Sequence, residues 1–524
     1  MLALVGLVGV GVILYTTARG AGVGGDATIY LYSARNLLAG KGLGLIDPDG
    51  SFRALPYSPP LFPLLLAGFG LLGADMLQAA RVMNAVLFGA TIFLVGAAFY
   101  YFTRSRVMAL FSAFLMLVSP VLSVRMFSWA MTEPVFLFSG FLGLFLAIAY
   151  AGNPRRGLLF GAAAACAASF LARYIGAGFL GAAAVVLLLL DRRGWLLRAR
   201  ALALFLAVSL LPMAAWVAWD FWQTRTVASR SIQAGVGLGA RFLSALPPLK
   251  EAVLFWLVPD SWVDAPPYPH ALNTLVLAAA ALVLLALAWA AFRGMRGRQE
   301  EGRPGETRLA LGLGILAVVY LAVTLAVYVS TYPPITLDNR MIGPVHVAAL
   351  LLITVLAGVL LRREGARRWL MAGVWMILLA FGALYLFRSA RIVVETHRTG
   401  LGYLAEEYAG SETLKAVRAL PAGTKIITNE VTLVLYYTGR PSYALISGDL
   451  ADPRAASFTY GAEAGDAGQA AFRDGAALVL FNSVSDTLNG IYGAQGPARL
   501  ALLTRGLYQA YTGKDGAIYY FMAP

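Results

Sequence analysis

The chain has 524 residues, of which 59% are hydrophobic and 13% charged, with a mean hydropathy of +0.72. That is more apolar surface than one water-exposed globule buries, so the composition excludes an ordinary soluble enzyme and requires a lipid solvent. The net charge of +14 does not indicate a nucleic-acid partner, because the basic residues, all arginine apart from Lys41, Lys250, Lys415, Lys425 and Lys514, lie between apolar runs instead of forming one patch.

In chain order, hydropathy predicts spans at 2–18, 79–102, 107–120, 134–150, 157–172, 176–190, 201–219, 271–292, 309–329, 344–361 and 369–387. The first of these lacks the basic start of a signal peptide and reads as an uncleaved span. Five linkers, at 104–106, 153–156, 191–200, 293–308 and 362–368, hold two, two, four, five and four arginines. Arginine-rich linkers stay cytoplasmic, and eleven spans place all five on that side. The N-terminus is then cytoplasmic in the plasma membrane. Residues 19–78, 121–133, the Arg173 turn, 220–270, 330–343 and everything after 388 are outside. The segment 59–73 is short, opens on two prolines and reads as a surface or re-entrant helix.

The character of the sequence changes at Arg388, where charges become frequent and short alternating runs replace long apolar ones. Strands are predicted at 425–428, 432–437, 477–481 and 517–521, with a helix at 411–420. The expected architecture is an all-α polytopic membrane bundle over 1–387, including a first outer loop at 19–78 and a large loop at 220–270. A small extracytoplasmic α/β domain follows over 388–524. Cys166 is the one cysteine, so neither an intrachain disulfide nor a cysteine metal site is possible.

Ionisable residues at the edge of a membrane bundle are costly unless solvated, paired or used, which makes their positions informative. Asp26, in Gly24-Gly25-Asp26 after the first span, is placed to take a proton from a nucleophile or to cap the amphipathic helix that follows it. Glu133, in Thr132-Glu133-Pro134, sits at a helix start, where an acid also complements the helix dipole. Arg173 interrupts an apolar hairpin and offers a planar fork of donors to a lipid phosphate, with Tyr174 beside it; snorkelling to headgroups is the alternative. Arg340, in Asp338-Asn339-Arg340, is a second phosphate ligand unless Asp338 pairs with it, and Arg81 is a third. Tyr57 and Ser58 precede the Pro59-Pro60 helix start as loop or acceptor residues. The tryptophans of 220–270 read as an interfacial belt. His270, His346 and His397 have no metal-ligand spacing, and neither a P-loop nor a Gly-x-Ser-x-Gly motif is present.

Taken in order, Gly25-Asp26 with Tyr30, Ala34 and Arg35, then Ser58-Pro59-Pro60-Leu61, Ala80 to Asn84, Thr132-Glu133-Pro134, Ala172-Arg173-Tyr174 and Asp338-Asn339-Arg340 with Pro344 carry a resemblance over most of the chain. It resembles the GT-C superfamily of polyprenyl-phosphate-sugar glycosyltransferases, in the bacterial branch similar to protein O-mannosyltransferases and the lipid A aminoarabinose transferase. The resemblance implies an inverting transfer, with Asp26 as base toward an acceptor hydroxyl, Glu133 as a second acid, and Arg173 and Arg340 on the phosphate of a lipid-monophosphate sugar. The acceptor would be a protein, lipid or glycan. No cofactor is implied, and a divalent metal, which oligosaccharide-transferring relatives use, is not indicated. The chain departs from the pattern at Ala27, Ser58 and Met341, where relatives often carry an acid, a base and an aromatic. Two other functions share the outer arginines: a flippase or transporter of lipid-linked glycans, and a polymerase or ligase using diphosphate-linked donors.

Overall fold

The computed structural model describes residues 1–54, 59–225, 231–232, 237–258, 262, 272–278, 304–332, 334–361, 368–445, 471–472 and 474–521. Tyr57, Ser58 and most of the predicted span 271–292 lie outside the described residues. The chain forms two compact units, Met1–Ala21 with Pro56–Arg398, and Gly22–Leu55 with Thr399–Pro524.

The first unit is helical. Its elements are α1 (Leu2–Thr16), α3 (Leu61–Leu71), α4 (Met76–Thr103), α5 (Arg106–Leu117), α6 (Glu133–Gly152), α7 (Arg156–Ala172), α8 (Ala177–Leu189), α9 (Trp195–Thr224), α10 (Leu238–Leu257), α11 (Pro304–Ser330), α12 (Gly343–Leu361) and α13 (Arg368–Thr399), while β3 (Ser231–Ile232) pairs with β4 (Thr331–Tyr332). Among the described residues six helices, α4, α6, α9, α11, α12 and α13, are long and apolar enough to cross a membrane, which makes this a multi-pass membrane protein. Every predicted span except 271–292 falls on a helix. Those at α1, α5, α7 and α8 are shorter than the roughly 20 residues that cross about 30 Å of hydrocarbon at about 1.5 Å per residue.

Two helices overrun their predicted C-terminal ends by a turn or more. Hydropathy registers where lipid contact stops, whereas a helix continues as long as its backbone bonds are met. Thus α9 reaches Thr224 and carries Asp220 inside it, and α13 runs past Arg388 to Thr399. Part of the expected large loop is also helical, as α10.

Small residues let helices meet closely where lipid supplies no hydrophobic drive. On α1 and α4, a side chain at Gly6 would come within 2.9 Å of the Gly89 carbonyl oxygen, and one at Gly89 within 2.5 Å of the Gly6 carbonyl oxygen. Phe179 of α8 packs edge-on against Phe136 and Phe141 of α6 and Tyr320 of α11, with ring centroids 5.4, 5.2 and 5.8 Å apart. This aromatic core anchors the first turns of α6, where Glu133 stands.

The second unit joins the first-loop segment to the C-terminal residues. Its first-loop part is α2 (Gly25–Leu38) with the antiparallel pair β1 (Gly44–Ile46) and β2 (Phe52–Ala54). The C-terminal part holds α14 (Glu406–Ala409), α15 (Glu412–Ala419), α16 (Val431–Thr438), α17 (Ser483–Tyr492) and α18 (Gly496–Thr504). Its strands are β5 (Ile426–Thr428), β6 (Tyr443–Ala444), β7 (Ala477–Phe481), β8 (Tyr508–Thr512) and β9 (Gly516–Tyr520), in the order β6-β5-β7-β9-β8. The strand β5 runs parallel to β6 and β7, whereas β7, β9 and β8 are antiparallel neighbours.

The strand predicted at 432–437 is instead helix α16. Its β-branched and aromatic composition favours a strand, but β5 and β6 are parallel, and parallel neighbours need a crossover, usually helical. Gly439 closes the helix in the left-handed conformation, φ 71°. The boundary expected at 388 lies at 398 to 399, and Gly22–Leu55, expected with the membrane domain, groups with the C-terminal residues.

Candidate active site

In the first unit, Thr132 occupies the N-cap of α6 and Pro134 its opening turn, so Glu133 enters at the helix start, as its sequence context predicts. The carboxylate does not face water. Glu133 is 0% exposed, and its Oε1 accepts from Arg173 at 2.5 Å and from Arg340 Nε at 2.7 Å. A carboxylate taken out of water costs several kcal/mol unless cations and hydrogen bonds replace its hydration. Two guanidiniums do so here, and they lie outward of it, with side chains 17% and 30% exposed. Two guanidiniums thus meet on one carboxylate oxygen.

The Arg340 turn is held from several sides. Asp338 Oδ1 accepts from the backbone N–H of Arg340 at 3.0 Å and of Met341 at 2.9 Å, so Asp338 shapes the turn, while Glu133 takes the guanidinium. The Trp256 indole of α10 donates to Asn339 Oδ1 at 2.8 Å, and the Tyr320 hydroxyl donates to the Met341 carbonyl at 3.0 Å. The end of α10 is fixed in turn, as Tyr385 donates to the Trp256 carbonyl and Arg388 to the Phe255 carbonyl, both at 2.8 Å. Trp256 therefore does more than mark an interface.

Arg173 caps α7 in extended conformation, and Tyr174 follows it in a short 3-10 turn. The Tyr174 hydroxyl accepts from the Trp216 indole of α9 at 3.0 Å. Asp220 lies one helical turn beyond Trp216, beside the Tyr174 hydroxyl, and it is buried; among the described residues neither carboxylate oxygen meets a hydrogen-bond partner. By hydropathy alone Asp220 opens the loop at 220–270, which conceals its place inside α9. A mid-turn acid four residues after a tryptophan, in a helix longer than its apolar run, was the available signal.

Arg81 is not brought to this cluster. It donates to the Leu14 carbonyl at 2.9 Å and to Thr17 Oγ1 at 3.2 Å, tying α4 to α1. Tyr57 and Ser58 lie outside the described residues. Among the described residues no three His, Cys, Asp or Glu side chains gather as metal ligands.

Asp26 belongs to the second unit. Gly24, not Asp26, is the N-cap of α2, and Asp26 is an exposed acid in the first turn, at the positive end of the helix dipole. The chain entering α2 is tied to the C-terminal segment, since the Tyr403 N–H donates to the Val23 carbonyl at 2.7 Å and Val23 bridges Gly402. Tyr403 Oη and Thr432 Oγ1 share a hydrogen bond of 2.8 Å, and a side chain at Gly25 would meet that same Thr432 oxygen at 3.5 Å. Further along α2 the Tyr32 hydroxyl donates to the Leu435 carbonyl at 2.8 Å. Burial raises the Tyr32 phenol above its ordinary range, against the pull of Arg35, so it stays protonated and donating. The turn carrying Asp26 is thus packed on the first turn of α16, a feature invisible while 432–437 reads as a strand.

No protein-family profile matches the chain, and no curated protein matches it by sequence. Solved structures do match. ArnT from Cupriavidus metallidurans, crystallised with undecaprenyl phosphate and in the apo state, is similar over 98% of this chain and 97% of its own, with a TM-score of 0.56 and 15% identity. The Archaeoglobus fulgidus oligosaccharyltransferase in its apo form covers 99% of this chain and 74% of its own, with a TM-score of 0.53 and 11% identity. The same organism's oligosaccharyltransferase AglB, in complex with an inhibitory peptide and a dolichol-phosphate, gives 0.52 and 12% over the same shares. These neighbours have the GT-C fold, and this chain has it too.

Proposed function

We propose that this GT-C-fold membrane protein is an inverting glycosyltransferase that moves a sugar from a polyprenyl-phosphate donor to an acceptor hydroxyl on the extracytoplasmic face. The observation that carries the reading is the pair Arg173 and Arg340 gathered on one buried carboxylate, two part-exposed guanidiniums of the kind that bind a lipid phosphate. The named ligands of the structural neighbours, undecaprenyl phosphate and dolichol-phosphate, are of that class. In this reading the acceptor oxygen attacks the anomeric carbon, Asp26 takes the hydroxyl proton, and the bond from sugar to phosphate oxygen breaks with its electron pair leaving on phosphate. The guanidiniums of Arg173 and Arg340 stabilise that leaving charge. Glu133 holds the two guanidiniums in place and does not itself exchange a proton. The reaction needs no nucleotide sugar.

Purified protein in lipid nanodiscs, given radiolabelled polyprenyl-monophosphate sugars and envelope acceptors, is expected to release sugar from the lipid. Release from diphosphate-linked donors alone would replace this reading with a polymerase or ligase, and binding without release with a transporter.

The orientation is tested in sealed membrane vesicles. Cysteines introduced within 293–308 and at Lys514 are expected to label from opposite sides of sealed vesicles, over little background from buried Cys166. Labelling from one side would overturn the assignment of the C-terminal residues to the outside.

A further inference from the structure

A cavity of about 420 Å³ lies within the second unit, at the carboxyl end of β7, between the α17–α18 pair and strands β8 and β9. Small-molecule sites measure roughly 300–1,000 Å³, and in sheets with parallel strands they gather at the strands' carboxyl ends. Its floor is apolar, from Leu480, Val484 and Leu500 of the domain core. Polar groups rise from the walls: Asn482, Ser485, Asn489, Gln509, Thr512 and Tyr519. None of the lining residues is Asp, Glu, Lys, Arg or His, in a chain of net charge +14.

Several of these polar groups are open to solvent. Among the described residues the side chains of Ser485 and Asn489 and the Tyr519 hydroxyl make no hydrogen bond within the protein. Gly516 keeps the wall bare, since a side chain there would strike the Leu480 carbonyl. Amides and hydroxyls each donate and accept, as the hydroxyls of a sugar do, and a phenol ring beside them offers an apolar face to a pyranose. An ionic ligand would find no counter-charge among the lining residues.

We propose that this cavity is a binding site for an uncharged saccharide of about disaccharide size. The assignment rests on the cavity and stands independently of the transferase reading.

The test is saturation-transfer NMR and titration calorimetry on the full-length protein in nanodiscs free of glycoside detergent, with cellobiose, gentiobiose and mannobiose as probes. At least one is expected to bind, and Asn489→Leu and Gln509→Leu, both at exposed positions that leave the core intact, are expected to weaken it at least tenfold. A uronate-containing disaccharide is expected to bind at least tenfold more weakly than its neutral counterpart. Asp26→Asn and Arg340→Ala are expected to leave saccharide binding unchanged. The proposal is overturned by no binding of any neutral probe at millimolar concentration, by wild-type binding in both leucine variants, or by equal binding of the charged analogue. Loss in Arg340→Ala with retention in Asn489→Leu would overturn it too, by moving the site to the bundle.

Discussion

Replacing Asp26 with asparagine is expected to cut sugar transfer by about 10²- to 10⁴-fold, the usual contribution of a positioned general base, while leaving binding of the lipid donor unchanged. The amide matches the carboxylate in shape but cannot take a proton. Asp26 is an exposed first-turn residue, so its replacement opens no cavity. A lost rate should therefore come with an unaltered melting curve. Single-turnover transfer from a radiolabelled polyprenyl-phosphate sugar, alongside equilibrium donor binding, separates the two quantities. Wild-type turnover in Asp26→Asn would remove the base from the mechanism, whereas joint loss of donor binding and melting temperature would make Asp26 a structural residue.

Glu133→Ala is expected to be the most destabilising single change in the site. The carboxylate is fully buried and takes both guanidiniums on one oxygen, so truncation leaves two cations facing each other without their shared anion. Removing one member of a buried ion pair costs about 3–5 kcal/mol, chiefly because the survivors remain desolvated and uncompensated. Both arginine side chains keep some contact with solvent, which places the expected loss near the lower end of that range. Glu133→Gln retains an acceptor oxygen and should lose less. Thermal melting of the two variants in nanodiscs measures this order. If Glu133 were instead a proton-transfer group, Gln would abolish transfer while both variants melted like the wild type.

The sequence by itself settled the solvent. No arrangement of 59% hydrophobic residues in apolar runs fits a water-bounded core, and each predicted span within the described residues lies on a helix. It also singled out Glu133, Arg173 and Arg340, because a charged group bordering an apolar run is expensive and so stands out without any knowledge of its partners. The same signal selected Arg81 as a third, weaker candidate. What separates them is pairing between residues far apart in the chain: Arg173 and Arg340 meet on Glu133, whereas the glycine-to-glycine approach of α1 and α4 delivers Arg81 to the carbonyl of Leu14.

Position 432–437 shows the limit from the other direction. Its composition suits a strand and its length suits either element, and only the parallel pairing of β5 with β6 requires a helix between them. That helix then receives Gly25 and Tyr32, drawing Gly22–Leu55 into one unit with the C-terminal residues. Hydropathy and local propensity are sums over neighbours in sequence, so they determined the membrane bundle, its candidate charges and most of its helices. Which charge meets which, and which unit holds the Asp26 turn, depends on contacts between residues 40 to 403 apart in the chain, and no sum over sequence neighbours contains them.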